Sequence, residues 1–154
     1  MSTAPAAPHL VDYKVAARRH LVDASRLLHA GRGANAGQLF GFAVECGLKA
    51  LLVATGEPKD PDGGVARSSA YRKHMPQLGT LISGVTTLPD GRMSSSFQAQ
   101  MPSLAALHDW HVDHRYWHDS VMPLASVPHW ELAALEVDAM LDRSEEHTSE
   151  LQSR

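Results

Sequence analysis

The chain has 154 residues, a formal net charge of -3 and a single cysteine. This length predicts one domain, with a core large enough to be stable without disulfides or a structural metal. The mild acidity excludes the strongly basic proteins that bind nucleic acid over a whole face, so any RNA contact must be local. Cys46 cannot form an internal disulfide, and its apolar neighbours predict a buried thiol rather than a nucleophile.

Neither end of the chain is predicted to belong to the folded domain. Residues 1–11 lack the basic and apolar regions of a secretory signal and are predicted to be a disordered lead. Residues 143–153, RSEEHTSELQS, resemble the translation of a common sequencing adapter, so we treat residues 143–154 as a non-native tail. A genuine polar, solvated tail is the alternative. The domain is then predicted to cover residues 12–142.

Two apolar helices are predicted at the start of the domain. The first covers residues 12–30 and ends at Gly31, since glycine readily adopts the left-handed conformation of a helix end. The second covers residues 34–55 and has one broad apolar face. Glu45 and Lys49 interrupt its apolar run, which falls short of the roughly 20 residues that a membrane span needs. We therefore expect a soluble, cytoplasmic protein.

The remaining elements are also predicted to be helical. Residues 57–72 are rich in proline and glycine and are predicted to form a loop. A short helix follows over residues 75–85, a turn over 86–92, a long helix over 102–117 and a last helix over 128–141. No segment alternates apolar and polar residues as a strand does. The sequence predicts an all-α fold, an up-and-down bundle of four main helices plus a short one.

A histidine-rich segment, LHDWHVDHRYWHD over residues 107–119, covers the end of the predicted long helix and the two residues after it. At about 100° per residue, one stripe of that helix would carry the candidate site residues His108, His111, Arg115 and His118. An arginine can hold a phosphate with its planar fork, and a histidine can transfer protons near neutral pH. One interpretation of the stripe is ribonuclease chemistry, with Arg115, His111 and His118 as catalytic candidates.

Two other interpretations of the histidine stripe remain open. Histidines three and seven residues apart can converge on one metal ion, with Asp109 or Asp113 orienting their rings. Alternatively, the histidines form a solvated face, while Trp110 and Trp117 pack against the bundle from a neighbouring face. No motif of a known metal site is present, and we expect neither a bound metal nor a cofactor.

Four segments, taken in their order along the chain, resemble the HEPN family, the helical domains named for nucleotide binding in higher eukaryotes and prokaryotes. The segments are Arg19-His20-Leu21 with Asp23-Ala24, FAVECGLKALL over residues 42–52, Lys73-His74-Met75 with Leu78, and WHVDHRY over residues 110–116. The resemblance spans residues 12–142. It implies a helical bundle that often forms homodimers. Members of the family include ribonucleases, toxin components, partners of nucleotidyltransferases and proteins without catalysis.

The resemblance also bears on site residues. It implies that Asp23, Glu45, Lys49 and Arg115 face inward, either as a polar cleft for a phosphate or as a buried network that fixes helix register. The family's catalytic pattern is an arginine followed, after four to six residues, by a histidine. Here Arg115 precedes His118 by only two intervening residues, so metal-independent endoribonuclease activity stays uncertain. We expect RNA or nucleotide interaction, with a toxin–antitoxin or nucleotidyltransferase pair as context; a non-catalytic interaction or dimerisation module is the alternative.

Overall fold

The computed structural model describes residues 10–85, 87–92, 95 and 98–152, with side chains described as far as residue 145. The α-helices that lie wholly within these residues are α1 (Tyr13–His29), α2 (Gly33–Ala54), α3 (Gln77–Gly84) and α4 (Val127–Gln152). No β-strand occurs in these ranges, although an isolated antiparallel bridge joins Lys59 to Val65. The all-α prediction is confirmed. Most of the predicted disordered lead lies outside the described residues.

The first two helices begin and end within one residue of their predicted limits. Asp12 caps α1, since its side-chain Oδ1 accepts a hydrogen bond from the backbone N–H of Val15 at 3.1 Å. Gly31 ends α1 with a positive φ of 75°. The backbone N–H of Arg32 then donates to the Leu27 carbonyl at 2.9 Å. Glycine therefore closes α1 as predicted, and the short link makes α2 antiparallel to α1.

Helix α2 lies at the centre of the fold, between α1 and α4. Phe40, Val44 and Leu48 of α2 have no exposed surface. By length and composition alone, α2 could cross a membrane, but 72% of its apolar window is buried inside the fold. Core helices of soluble proteins can have the same length and composition, so this property does not distinguish a soluble protein from a membrane protein.

Two glycines of α2 make room for tryptophan rings. A Cβ atom added at Gly41 would lie 1.9 Å from Cε2 of Trp110, and one added at Gly37 would lie 2.8 Å from Cζ3 of Trp130. Both rings are fully buried. The indole N–H of Trp110 also donates to the Gly37 carbonyl at 3.0 Å. The aromatic rings therefore pack directly on the backbone of α2. A larger residue at either glycine position would prevent this packing.

The predicted long helix over residues 102–117 is wrong. This part of the chain forms 3-10 turns over Leu104–Asp109 and Val112–Tyr116, followed by shorter ones over Asp119–Val121 and Leu124–Ser126. The buried residues recur every third position, as the 3-10 geometry of three residues per turn requires: Met101, Leu104, Leu107 and Trp110. The fold thus has three long helices, and the fourth main helix is replaced by short turns.

Histidine side chains start two of these turns. His111 Nδ1 accepts from the backbone N–H of Asp113 at 3.2 Å, and His118 Nδ1 accepts from that of Ser120 at 3.1 Å. Both histidines have extended backbone angles. Such local side-chain bonds compete with a continuous helix, because they satisfy backbone donors at the start of a new turn.

Helix α4 begins one residue before its predicted start and continues well past residue 141. It extends through most of the adapter-like tail. Glu145, which belongs to that tail, contacts α1 through Arg18, whose Nη1 lies 3.1 Å from Glu145 Oε1. The prediction that the domain ends at residue 142 stays untested, since a helix can continue into a foreign segment.

Candidate acid–base site around Glu45

The structure does not form the predicted histidine stripe. His108, His111, Arg115 and His118 are all exposed, but the breaks between the 3-10 turns remove the common face that a continuous helix would give them. The guanidinium of Arg115 lies 4.8 Å from the ring centre of Tyr116. His118 Nδ1 lies 2.8 Å from the hydroxyl of Ser120.

The metal-site alternative depended on the same helical geometry. Among the described residues, no group of three or more histidine, cysteine, aspartate or glutamate side chains is placed to hold a metal ion. The shared tryptophan face is also wrong, because Trp110 is buried whereas Trp117 is 46% exposed.

His114, which was not a predicted site residue, is the buried histidine of this segment, with 4% of its surface exposed. Its ring stacks on Trp130 with centroids 5.8 Å apart and meets Trp117 edge-on at 4.4 Å. Burial lowers the pKa of His114, and the neighbouring His111 lowers it further. His114 is therefore an aromatic packing residue that favours the neutral form.

The predicted inward-facing cluster of four residues is correct for one pair only. Lys49 Nζ lies 3.2 Å from Glu45 Oε2, and each of the two side chains is only 9% exposed. Asp23 and Arg115 are exposed instead. Glu45 and Lys49 thus form a buried ion pair one turn apart on the core helix, without the other two groups.

The remaining oxygen of Glu45 holds His74, which lies between the predicted loop over residues 57–72 and the predicted helix over residues 75–85. His74 Nδ1 lies 2.9 Å from Glu45 Oε1, and the backbone N–H of Met75 donates to the same oxygen at 3.3 Å. The His74 side chain is 58% exposed. A buried carboxylate therefore orients an exposed imidazole. The segment Lys73-His74-Met75 carried part of the family resemblance, but its sequence gave no sign of this long-range contact.

A second histidine, His20, lies on α1 and packs against Phe42 of α2. The His20 ring centre is 5.8 Å from that of Phe42. Burial lowers the pKa of His20, and the charge of Arg19 lowers it further, while Asp23 and Glu45 raise it more weakly. His20 is therefore mainly neutral at pH 7 and available as a proton acceptor.

Other neighbours complete the environment of the ion pair. Lys49 Nζ lies 5.9 Å from the ring centre of Tyr13, a distance at which a cation and an aromatic face attract each other. The Tyr13 hydroxyl accepts from the backbone N–H of Val65 at 2.8 Å and so joins α1 to the loop. Burial raises the pKa of the Cys46 thiol to about 11, which excludes a thiolate nucleophile at neutral pH.

The hydrogen bonds assign distinct chemical roles to these groups. When His74 donates its Nδ1 proton to Glu45, its Nε2 carries the lone pair and can accept a proton. Lys49 neutralises the charge of the buried carboxylate from the other side. In that tautomer the exposed His74 ring can accept a proton through Nε2, while Glu45 stays paired with Lys49 through its other oxygen.

Comparison with models of known protein families, with curated proteins and with solved structures finds no match for this chain. These comparisons therefore assign no family to the chain.

Proposed function

We propose that this protein is a HEPN-like, cytoplasmic domain that binds a phosphate group of RNA or of a nucleotide beside the Glu45–His74 pair. The observation that carries the proposal is a carboxylate that is almost fully buried and yet holds an exposed histidine by Nδ1. Burying a charge is costly unless partners compensate for it. An exposed histidine does not need a buried carboxylate to hold it in place. The Glu45–His74 contact is therefore not explained by the folding of a solvated loop alone.

The surroundings of His74 suit an anionic ligand. Lys73 is exposed beside it in the chain, and the exposed Arg19 is close enough to His20 to lower the pKa of that imidazole. Lys73 and Arg19 each precede, by one residue, a histidine that interacts with Glu45, although the chain is acidic overall. That distribution agrees with the local RNA contact that the composition requires.

The same groups suit metal-independent RNA cleavage, although binding does not depend on catalysis. A proton acceptor such as His74 Nε2 can activate a ribose 2′-hydroxyl, and a neighbouring cation can stabilise the charge that develops on the phosphate. This role would replace the predicted catalytic group of Arg115, His111 and His118, which the structure does not bring together.

The proposal is tested with a His74→Gln variant and a matched His118→Gln control. Both side chains are exposed, but only His74 is held by a buried acid. We expect the affinity for a fluorescein-labelled single-stranded RNA, measured by anisotropy, to fall about tenfold for His74→Gln, which corresponds to roughly 1.4 kcal/mol. ATP binding is measured in parallel by calorimetry. If the parent binds neither probe, or both variants bind as the parent does, the proposal is wrong.

A specific observation favours the second candidate, a helical interaction module. Four large apolar side chains are exposed in the segment of 3-10 turns, with exposed fractions of 74% for Tyr116, 60% for Val121, 51% for Leu124 and 46% for Trp117. Exposed apolar patches mark protein contact sites. We propose a homodimer through this surface; an antitoxin or a nucleotidyltransferase is the partner class that the resemblance implies.

Sedimentation velocity separates this candidate from a monomeric binding domain. We expect the parent to be a dimer at micromolar concentration and a Tyr116→Lys variant to be a monomer with an unchanged helical spectrum. A Leu132→Lys variant, altered on the exposed side of α4, is the matched control and should remain dimeric. A monomeric parent would eliminate the dimer.

A further inference from the structure

A cavity of about 870 Å³ lies between the start of α1, the end of α2, the loop after α2 and helix α4. Its size falls within the range of small-molecule sites, which is about 300–1,000 Å³. Its apolar lining comes from Ala50, Leu51 and Val53 of α2 and from Leu141 of α4. The alanine contributes little volume, so a space remains where larger side chains would have packed.

The mouth of this cavity already holds a carboxylate. Glu145 contacts Lys14 Nζ, and both of its oxygens accept from Arg18, with Nη1 at 3.1 Å and Nη2 at 3.3 Å. The hydrogen bond from Lys14 lowers the pKa of Glu145, with that from Arg18 next in size. The pair of cations four residues apart on α1 thus grips one carboxylate in the forked geometry that arginine favours.

Other charges near the mouth leave this grip in place. Arg18 also contacts Asp142 at 2.5 Å and Asp138 at 3.7 Å, and these two acids offset part of its charge. Asp12 lines the cavity, but one of its oxygens is engaged in capping α1. Lys59 adds a second cation to the lining. Arg18 does not itself line the cavity, but together with Lys14 of the lining it holds the carboxylate of Glu145, which lines the cavity.

Glu145 belongs to the segment that resembles a translated adapter, so its carboxylate is not expected to be the natural occupant. We propose that Lys14 and Arg18 bind the carboxylate of a small amphipathic acid, whose apolar chain lies in the cavity against Leu51 and Leu141. Glu145 occupies the place of that head group in this chain. The proposal is independent of the proposed phosphate site at His74.

The experiment uses the full chain and decanoate as the probe, below its micelle concentration, with decanol as the uncharged control. Calorimetry is run on the parent, on Glu145→Gln, which frees the two cations, and on the double variant Glu145→Gln with Lys14→Met. A further double variant, Glu145→Gln with Arg92→Gln, removes a cation from a surface turn outside the cavity. Circular dichroism checks that each variant keeps its helices.

We expect Glu145→Gln to bind decanoate at least tenfold more tightly than the parent. The added Lys14→Met substitution should abolish that gain, and the added Arg92→Gln substitution should preserve it. Decanol should bind all four proteins equally weakly. Absence of saturable decanoate binding by Glu145→Gln would overturn the proposal. Equal affinity for decanoate and decanol would overturn the assignment of the head group to Lys14 and Arg18.

Discussion

The buried ion pair of α2 makes a quantitative prediction. Lys49→Met and Glu45→Gln keep approximate side-chain size but each leaves the partner without its counter-charge. Because both side chains are 9% exposed, the stranded charge cannot be rehydrated without opening the core. Removing one member of a buried pair costs about 3–5 kcal/mol, so each single variant should lose that much of its free energy of unfolding.

The double variant separates a stranded charge from lost packing. With both charges removed, no buried ion remains, so the cost should be no larger than that of one single variant. The coupling energy between the two sites should then be roughly 3 kcal/mol, at the upper end of values for contacting residues. Urea unfolding followed by circular dichroism at pH 7.5 measures all four free energies.

An exposed pair provides the control. Arg92 Nε lies 2.7 Å from Asp90 Oδ2, closer than the buried pair, but the Arg92 side chain is 62% exposed. Asp90→Asn should therefore cost less than about 1 kcal/mol, because water screens the exposed charges. The reasoning is refuted if Lys49→Met lowers the free energy of unfolding by no more than Asp90→Asn does. Burial of an ion pair would then not raise the cost of breaking it.

Two further predictions concern packing and pH. Gly41→Ala forces a methyl group into the ring of Trp110 and should cost about 1–3 kcal/mol in urea unfolding, even after the helix-propensity gain of about 1 kcal/mol. Gly33→Ala would place its methyl group no closer than an ordinary 3.5 Å from the Leu124 side chain, so it should be neutral or stabilising. Equal effects of the two substitutions would contradict the steric argument. Burial lowers the pKa of His114 from 6.5, so the unfolded chain takes up a proton that the folded chain resists, and stability should fall as the pH drops below about 6.5. A His114→Phe variant should lose less stability between pH 7.5 and 5.5 than the parent; an identical loss would exclude His114 as a source.

The long helices were predictable because their signals are local. Apolar periodicity, the Asp12 cap and Gly31 set the limits of α1 and the start of α2 without any knowledge of the tertiary structure. The segment of 3-10 turns was not, because Met101, Leu104 and Leu107 are three residues apart and an α-helix also places such residues on one face. The fourth positions after Leu104 and Leu107 are His108 and His111 rather than apolar residues, which is a weak signal against an α-helix. Histidine is also an unusual residue to begin a turn.

The contacts of the candidate site were also predictable where they are local in sequence, and not where they depend on tertiary packing. Glu45 and Lys49 are four residues apart on one helix, so their contact follows from helix geometry. His74 reaches Glu45 from an irregular loop 29 residues later, and that contact depends on how the loop packs against α2. Asp23 and Arg115 were also predicted to face inward. Whether a side chain faces the core depends on how its helix is rotated about its own axis, which the local sequence does not fix for Asp23. Arg115 lies in a 3-10 turn rather than in an α-helix.

The contact between Trp110 and α2 has a consequence for motion. The 3-10 turns around it contain six residues or fewer, so their backbone hydrogen bonds hold the segment less cooperatively than a long helix would. Local opening of this segment requires the indole to leave the backbone of Gly37 and Gly41, and we expect it to cost less free energy than global unfolding. Each local opening would expose the flat surface of α2 at Gly37 and Gly41, where one aromatic ring packs. Amide hydrogen exchange across the segment would measure how often this surface is exposed, and hence how readily an aromatic ring of another molecule could bind to it.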